Sequence, residues 1–217
     1  MKHKHYLTGI ILTAAALALS LILYPSLPDR IPMHWNIHGE IDGYGAKSWA
    51  AFLGPGLMAL MLLAFRFLPW LSPRRFEVAD TGSRPTYLYM MVVIVLLIGY
   101  VHAVSVAAAM GWAGDVGRAM VAGIFLFFAL LGNVLGKVPR NFYIGIRTPW
   151  TLASERVWYA THRLAARILV LAGAVGFVLV ILTGWFLLSF VLLIAALLIP
   201  VAHSLIYYKR LQRQGLA

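Results

Sequence analysis

The sequence predicts an all-α membrane protein: a six-transmembrane-helix bundle with a short extended external loop and an interfacial cytoplasmic helix. Composition is the first observation behind this, with 62% hydrophobic and only 12% charged residues, against roughly 45–50% and 25% in soluble domains. Apolar runs of spanning length, and the confinement of basic residues to one set of loops, are the other two. A formal net charge of +11 looks at first like a nucleic-acid footprint, but the charges sit at the ends of apolar runs, so no direct nucleic-acid partner is expected. The chain has no cysteine, which excludes disulfides and thiolate metal sites.

About 20 apolar residues cross a hydrocarbon core of about 30 Å. Runs of that length lie near Tyr6–Tyr24, Trp49–Trp70, Thr86–Ala109 and Ala119–Gly136. Ile168 to Tyr208 carries no Lys, Arg, Asp or Glu and is roughly two spans long; Thr183-Gly184-Trp185 near its middle predicts the break. A cleaved signal peptide is weighed for the first run and set aside, because its apolar stretch exceeds the usual 7–15 residues and continues through Leu21-Ile22-Leu23-Tyr24 without a polar boundary. With no aligned repeat, residues 1–217 are expected to form a single membrane domain, and short connections favour an antiparallel bundle.

Orientation follows from the positive-inside rule. With the N-terminus inside, fourteen of the eighteen Lys and Arg residues fall on the cytoplasmic side, among them Arg74, Arg75, Lys137, Arg140, Arg156, Arg167 and Arg213. Only Arg30 and Lys47 fall in outside loops; Arg118 starts the fourth span and Arg66 lies inside the second. The expected location is therefore the cytoplasmic membrane of a bacterium, multi-pass, with both termini cytoplasmic and the lipid bilayer as partner.

Intramembrane polar residues are few. Arg66 lies near a span end, where its stem can snorkel. His102, Asn133 and His203 are assigned packing roles: a neutral histidine can bond a neighbouring helix carbonyl, and Asn133 lies within Gly132-Asn-Val-Leu-Gly136, a small-xxx-small pattern that suits close helix contact. The spans contain no Asp or Glu, which argues against a proton- or cation-coupled carrier.

Two segments carry more detail than topology needs. The first external loop, residues 25–48, holds Pro28, Pro32, His34, Asn36, Gly39, Asp42 and Tyr44. From Met33 its residues alternate, placing Met33, Trp35 and Ile37 on one edge of an extended strand and His34, Asn36 and His38 on the other; Gly39 and Asp42-Gly43 supply turns. The apolar edge is expected to rest on the bundle with Trp35 at interface depth. His34 and His38 with Glu40 or Asp42 are suitable donors for a divalent ion, but the spacing matches no helical zinc motif and a third fixed ligand is missing. His34 and Asp42 remain weak metal candidates, no metal or cofactor is assigned, and the loop is read as structural or ligand-contacting.

The second segment, residues 137–167, contains Asn141-Phe-Tyr-Ile-Gly145-Ile-Arg147-Thr148-Pro149-Trp150-Thr, then Trp158 and Thr161-His162-Arg163. Thr148 reads as an N-cap with Pro149 at the first helical position. From there Trp150, Ser154, Val157, Trp158, Thr161 and Ala165 share one face, describing an amphipathic helix in the inner interface with tryptophans at headgroup depth. The preceding stretch reads as a tucked loop whose Arg147 can pair with helix-end carbonyls or an anionic partner.

At these residues the chain resembles a known family. Pro28, Ile31-Pro32, His34, Asn36, Gly39, Asp42 and Tyr44 resemble the DUF1648-type region, and Gly145-Ile-Arg147-Thr-Pro-Trp150-Thr with Trp158 and Thr161-His162-Arg163 resembles the SdpI-family signature. The expected layout is a DUF1648-like region at 6–70 and an SdpI-like region at 86–208. The resemblance implies immunity to a secreted killing peptide, the sporulation-delaying toxin, and recruitment of a small cytoplasmic repressor when that toxin is present. Carried over, His34, Asn36, Gly39, Asp42 and Tyr44 become the external sensing loop. Asn141, Gly145, Arg147, Thr148, Pro149, Trp150, Trp158, Thr161, His162 and Arg163 become the docking surface.

Three function classes stand open: a peptide-immunity and signalling protein, a transporter of a peptide or small amphiphile, and a membrane-embedded metal-dependent enzyme. The last is placed lowest, since no nucleophile–base pair or paired buried carboxylate is visible, and the chain is read as a non-enzyme.

Overall fold

The computed structural model describes residues 2–71, 84–112, 114–141 and 144–216; Arg74, Arg75 and the Phe142-Tyr143 pair of the second motif lie outside them. Among the described residues, six helices are long and apolar enough to cross a membrane. They are α1 (Lys2–Leu23), α2 (Lys47–Phe67), α3 (Arg84–Ala109), α4 (Val116–Leu135), α6 (Glu155–Thr183) and α7 (Phe186–Arg213), with the short α5 (Pro149–Ala153) between α4 and α6. The architecture is the expected all-α bundle, with one two-stranded sheet. Both described chain ends lie at the end that carries the 136–154 segment, here the loop end; the sheet lies at the opposite, hairpin end.

The helices associate in two groups. α1, α2 and α3 pack mutually, α4 packs extensively on α6 and α6 on α7, and α3 against α4 joins the groups. Lipid offers no hydrophobic drive between helices, so close approach of backbones matters more than side-chain apolarity. The α4–α6 seam shows this: a Cβ on Gly173 would come within 2.7 Å of Phe125 O and 2.8 Å of Ala129 N, and one on Gly132 within 2.9 Å of Val170 N. The small-xxx-small pattern thus works through its glycines, while Asn133 itself is exposed.

The long apolar run divides where expected. Gly184 closes α6 at φ 66, its N–H donating to Val180 O, the left-handed C-terminal geometry that a residue with a Cβ adopts only at a cost. Arg66 stays at a helix end, its guanidinium 5.1 Å from the Trp70 ring centroid.

The external loop is a β-hairpin rather than a single extended strand. β1 (Arg30–Trp35) and β2 (Ile41–Ala46) pair antiparallel, with Arg30 opposite Ala46, Pro32 opposite Tyr44 and His34 opposite Gly43, and irregular register on both sides of His34. Two expectations are corrected here. Asp42-Gly43 is strand, not turn, because Gly43 gives His34 room: a Cβ there would lie 2.8 Å from His34 Cβ. Ile37 is 57% exposed instead of continuing the apolar edge, because β1 ends at Trp35 and the chain turns back at Gly39, φ 78.

Candidate functional site

Each end of the bundle holds one of the motifs singled out above. At the hairpin end, Asn36 organises the turn. Its Oδ1 accepts from the N–H of His38 at 2.9 Å and of Glu40 at 3.0 Å, while its Nδ2 donates to Glu40 Oε2 at 2.9 Å. His34 Nδ1 and Asp42 Oδ1 are 2.5 Å apart across the strands, both substantially exposed, so the pair contributes modestly in water. Tyr44 is 53% exposed. Among the described residues no three His, Asp or Glu converge as a metal site; Asp42 is engaged with His34 and Glu40 with Asn36.

The hairpin tip does not stand free in solvent. A Cβ on Gly117, at the start of α4, would lie 2.6 Å from Gly39 Cα, and one on Gly39 would lie 2.9 Å from the Phe186 ring of α7. The tip therefore bridges from the α1–α2 connection to the α4 and α7 ends, and Ile37 and His38 form a cleft with Trp185, Leu187 and Leu188. Gly117 and Phe186 carried no sequence signal for this, since each looks like an ordinary helix-end residue.

At the loop end the second motif is tied down by hydrogen bonds at nearly every step. Asn141, 2% exposed, donates through Nδ2 to Pro139 O and Ile144 O and accepts from Ile144 N–H. Gly145 turns at φ 106, which lets Ile146 N–H reach His162 Nε2 at 3.0 Å. Because His162 Nδ1 lies 2.8 Å from Trp158 O and a carbonyl can only accept, Nδ1 carries the proton and Nε2 is the acceptor. The imidazole is thereby held in one neutral tautomer, stacked on the Trp158 ring at 4.0 Å. Trp158 Nε1 in turn donates to Val138 O at 2.8 Å.

The predicted cap at Thr148 forms. Its Oγ1 accepts from Thr151 N–H, Thr151 Oγ1 accepts from Thr148 N–H, and Pro149 occupies the first turn. Thr151 Oγ1 donates on to Ile146 O at 2.8 Å, closing the cap over the Gly145 turn. Trp150 Nε1 donates to Ser204 Oγ of α7, and Arg140 Nη1 donates to Leu152 O at 3.1 Å.

The amphipathic helix expected from Thr148 onward divides at Ser154, whose extended backbone separates α5 from α6. Trp158, Thr161 and His162 lie in the first turns of α6 and are all 0% exposed. Their side chains face the protein interior and not lipid, because the face they share is the one that receives the 138–151 segment. Of the residues assigned to a docking surface, Gly145, Arg147, Pro149 and Arg163 are exposed, and Thr148 and Trp150 are half-buried. Asn141, Trp158, Thr161 and His162 instead position the loop.

Another polar contact lies within the membrane, where the sequence indicated packing alone. Ser20 of α1, His102 of α3 and the Ala51 carbonyl of α2 meet, with Ser20 Oγ 2.5 Å from Ala51 O and 2.9 Å from His102 Nε2. The histidine bonds the Ser20 hydroxyl and also, as expected, a neighbouring helix carbonyl, that of Ala16 in α1. The sequence signal was two isolated polar residues in apolar spans, without any indication that they meet.

These features define a multi-pass all-α membrane protein with a docked hairpin at one end and a hydrogen-bonded loop at the other. Residues 137–204 match the SdpI/YfhL protein family and residues 11–59 match a domain of unknown function, DUF1648. It is similar to Immunity protein SdpI of Bacillus subtilis (strain 168), with 29% identity over 211 residues that cover 96% of this chain and 98% of that protein. No solved structure matches the chain.

Proposed function

We propose that this chain is a membrane immunity and signalling protein that protects its cell against a membrane-active peptide, with the hairpin outside and the 137–167 segment in the cytoplasm. The observation that carries this reading is the likeness to an immunity protein along almost the whole chain, which takes in both structured ends. A peptide arriving through the outer leaflet would meet the hairpin tip and the cleft bounded by Ile37, His38 and Trp185. A cytoplasmic partner, a small repressor, would meet Gly145, Arg147, Pro149 and Arg163, which the buried His162–Trp158 clamp presents on a stiff base.

The arrangement of basic residues supports the orientation, since most cluster at the loop end. The reading makes the protein a binder and not a catalyst. The test is to express the chain in a strain sensitive to the sporulation-delaying peptide and to challenge it with a panel of membrane-active peptides. Survival raised for at least one peptide, and lost in a strain deleted for the gene, is expected. Unchanged sensitivity across the panel, with the protein inserted at normal level, would refute the proposal.

A further inference from the structure

In the hairpin-end half of the bundle, a pocket of about 210 Å³ opens between α2 and α3. Its walls include Leu53, Leu57, Leu97 and Val101, with Met33 of β1 and His102 completing the lining. Leu53 and Leu57 are 37% and 39% exposed, so the pocket opens sideways, toward the lipid. His102 is only 5% exposed and Ser20 0%, and His102 is seven residues before the end of α3 at Ala109. At about 1.5 Å per residue this places the ring roughly 10 Å below that helix end, within hydrocarbon.

The hydrogen bonds fix the chemistry of that ring. Ser20 has one proton, and its 2.5 Å approach to Ala51 O commits that proton to the carbonyl. Ser20 Oγ therefore accepts at His102, and Nε2 carries the hydrogen across the 2.9 Å contact. Nδ1 is then a bare lone-pair acceptor, and no described residue donates to it. Gly54 lets α2 approach this edge of the ring without blocking it: a Cβ there would lie 2.5 Å from His102 Cγ and 2.7 Å from Nδ1. An unpaired acceptor in an apolar setting is costly unless a ligand donates to it.

We propose that this pocket receives the indole or phenol ring of a tryptophan or tyrosine carried by a membrane-inserted peptide, its N–H or O–H donating to His102 Nδ1. The inference rests on the peptide-binding reading above and names the group recognised. An apolar cavity of about 150 Å³ holds benzene, so this volume suits one ring system somewhat larger. The lining is aliphatic with a single acceptor, and the Met33 thioether is a favourable neighbour for an aromatic edge. Met33 also belongs to the hairpin, so the pocket is continuous with the surface a peptide would first meet, which favours a ring on a peptide over a free aromatic molecule.

The test uses the full chain in lipid nanodiscs with ¹⁵N-labelled histidine. The probe is a synthetic spanning polyleucine peptide with one tryptophan at the depth of His102, compared with the same peptide carrying phenylalanine and with free indole. The expected result is a shift of the His102 Nδ1 resonance with the tryptophan peptide alone among the two peptides. Affinity for that peptide should be about fivefold higher, the worth of one hydrogen bond, and this preference should disappear in His102→Phe. Leu57→Trp, which fills the pocket from its rim, should block binding even if His102→Phe fails to fold. An unmoved Nδ1 resonance with the tryptophan peptide, or a shift with free indole only, overturns the proposal. If the chain protects cells while Nδ1 stays unmoved, this inference alone fails; if Nδ1 responds but no peptide resistance exists, the immunity reading alone fails.

Discussion

His162 shows what a single residue contributes here. Its two ring nitrogens join the first turns of α6 to the Gly145 turn, Nδ1–H donating to Trp158 O and Nε2 accepting from Ile146 N–H. A nitrogen protonated at Nε2 could no longer accept, so the loop depends on the neutral ring. Gly145 serves the same contact, because at φ 106 a side chain is strained whatever the space, and a Cβ would run into His162 Nε2. Gly145→Ala is therefore expected to cost about 2 kcal/mol of local stability and to free the 138–151 segment, read as faster amide exchange at Ile146 and Thr151 than in the parent. Equal exchange in both proteins would show that the turn does not depend on glycine. Trp158→Ala removes a ring that is 0% exposed together with the bond to Val138 O; about 3–5 kcal/mol of destabilisation should appear in unfolding by denaturing detergent. The proposed docking role of Arg147 is a separate matter: Arg147→Ala should leave membrane insertion intact and abolish capture of the proposed cytoplasmic partner, and undiminished capture would remove this arginine from the proposed surface. The motif residues were readable in the sequence, but their division into buried clamp and exposed surface was not, since Trp158 and Arg163 stand equally prominent in the string.

Among the elements, the hairpin departs most from simple expectation. Alternation from Met33 to His38 indicated an extended edge, but pairing with β2 and the Asn36-centred turn ended that edge at Trp35. What holds the tip is contact with elements far along the chain, Gly117 of α4 and Phe186 of α7. A bulky residue at Gly117 should therefore dislodge the tip without unfolding the helices. In the naturally cysteine-free chain, paired cysteines at His38 and Leu188, both lining the same cleft, should cross-link readily with a short bifunctional reagent. Adding Gly117→Phe should lower the yield severalfold, and an unaffected yield would mean that the tip is held elsewhere. The helices themselves were legible because apolar length sets a span and Gly184 sets a stop. The α5–α6 break at Ser154 was not legible: a continuous helical face runs through it, and α5 is held out of line by the Trp150 contact to Ser204 of α7, the Arg140 bond to Leu152 O and the cap over Ile146.

For the whole molecule, the decisive question is which end faces which compartment. Among the described residues, twelve Lys and Arg lie in segments on the loop-end side of the spans, and translocation of such segments is disfavoured. Alkaline phosphatase fused after Tyr44 should accordingly be active and a fusion at the C-terminus inactive, whereas the reverse pattern would invert the proposed roles of the two ends. The two helix groups meet through α3 and α4 and through the hairpin tip, so displacement of the tip would bear on the α4–α6–α7 group that carries the loop-end segment. That path supplies physical contact between the ends; signalling along it also requires two arrangements of the tip that a ligand distinguishes.

The class, the number of spans and the α6 stop at Gly184 were readable from the string, because these depend on local quantities: apolar length, charge at span ends and a turn-forming glycine; the start of α6 at Glu155, well before the apolar run from Ile168, was not. Only the tertiary structure decided that His102 meets Ser20, that Gly39 meets Gly117, and that His162 faces inward under the Gly145 turn. Each of these is a meeting of residues distant in the chain, and helix packing in a membrane is settled by backbone proximity and by the pairing of scarce polar groups, neither of which has a period that a linear string displays.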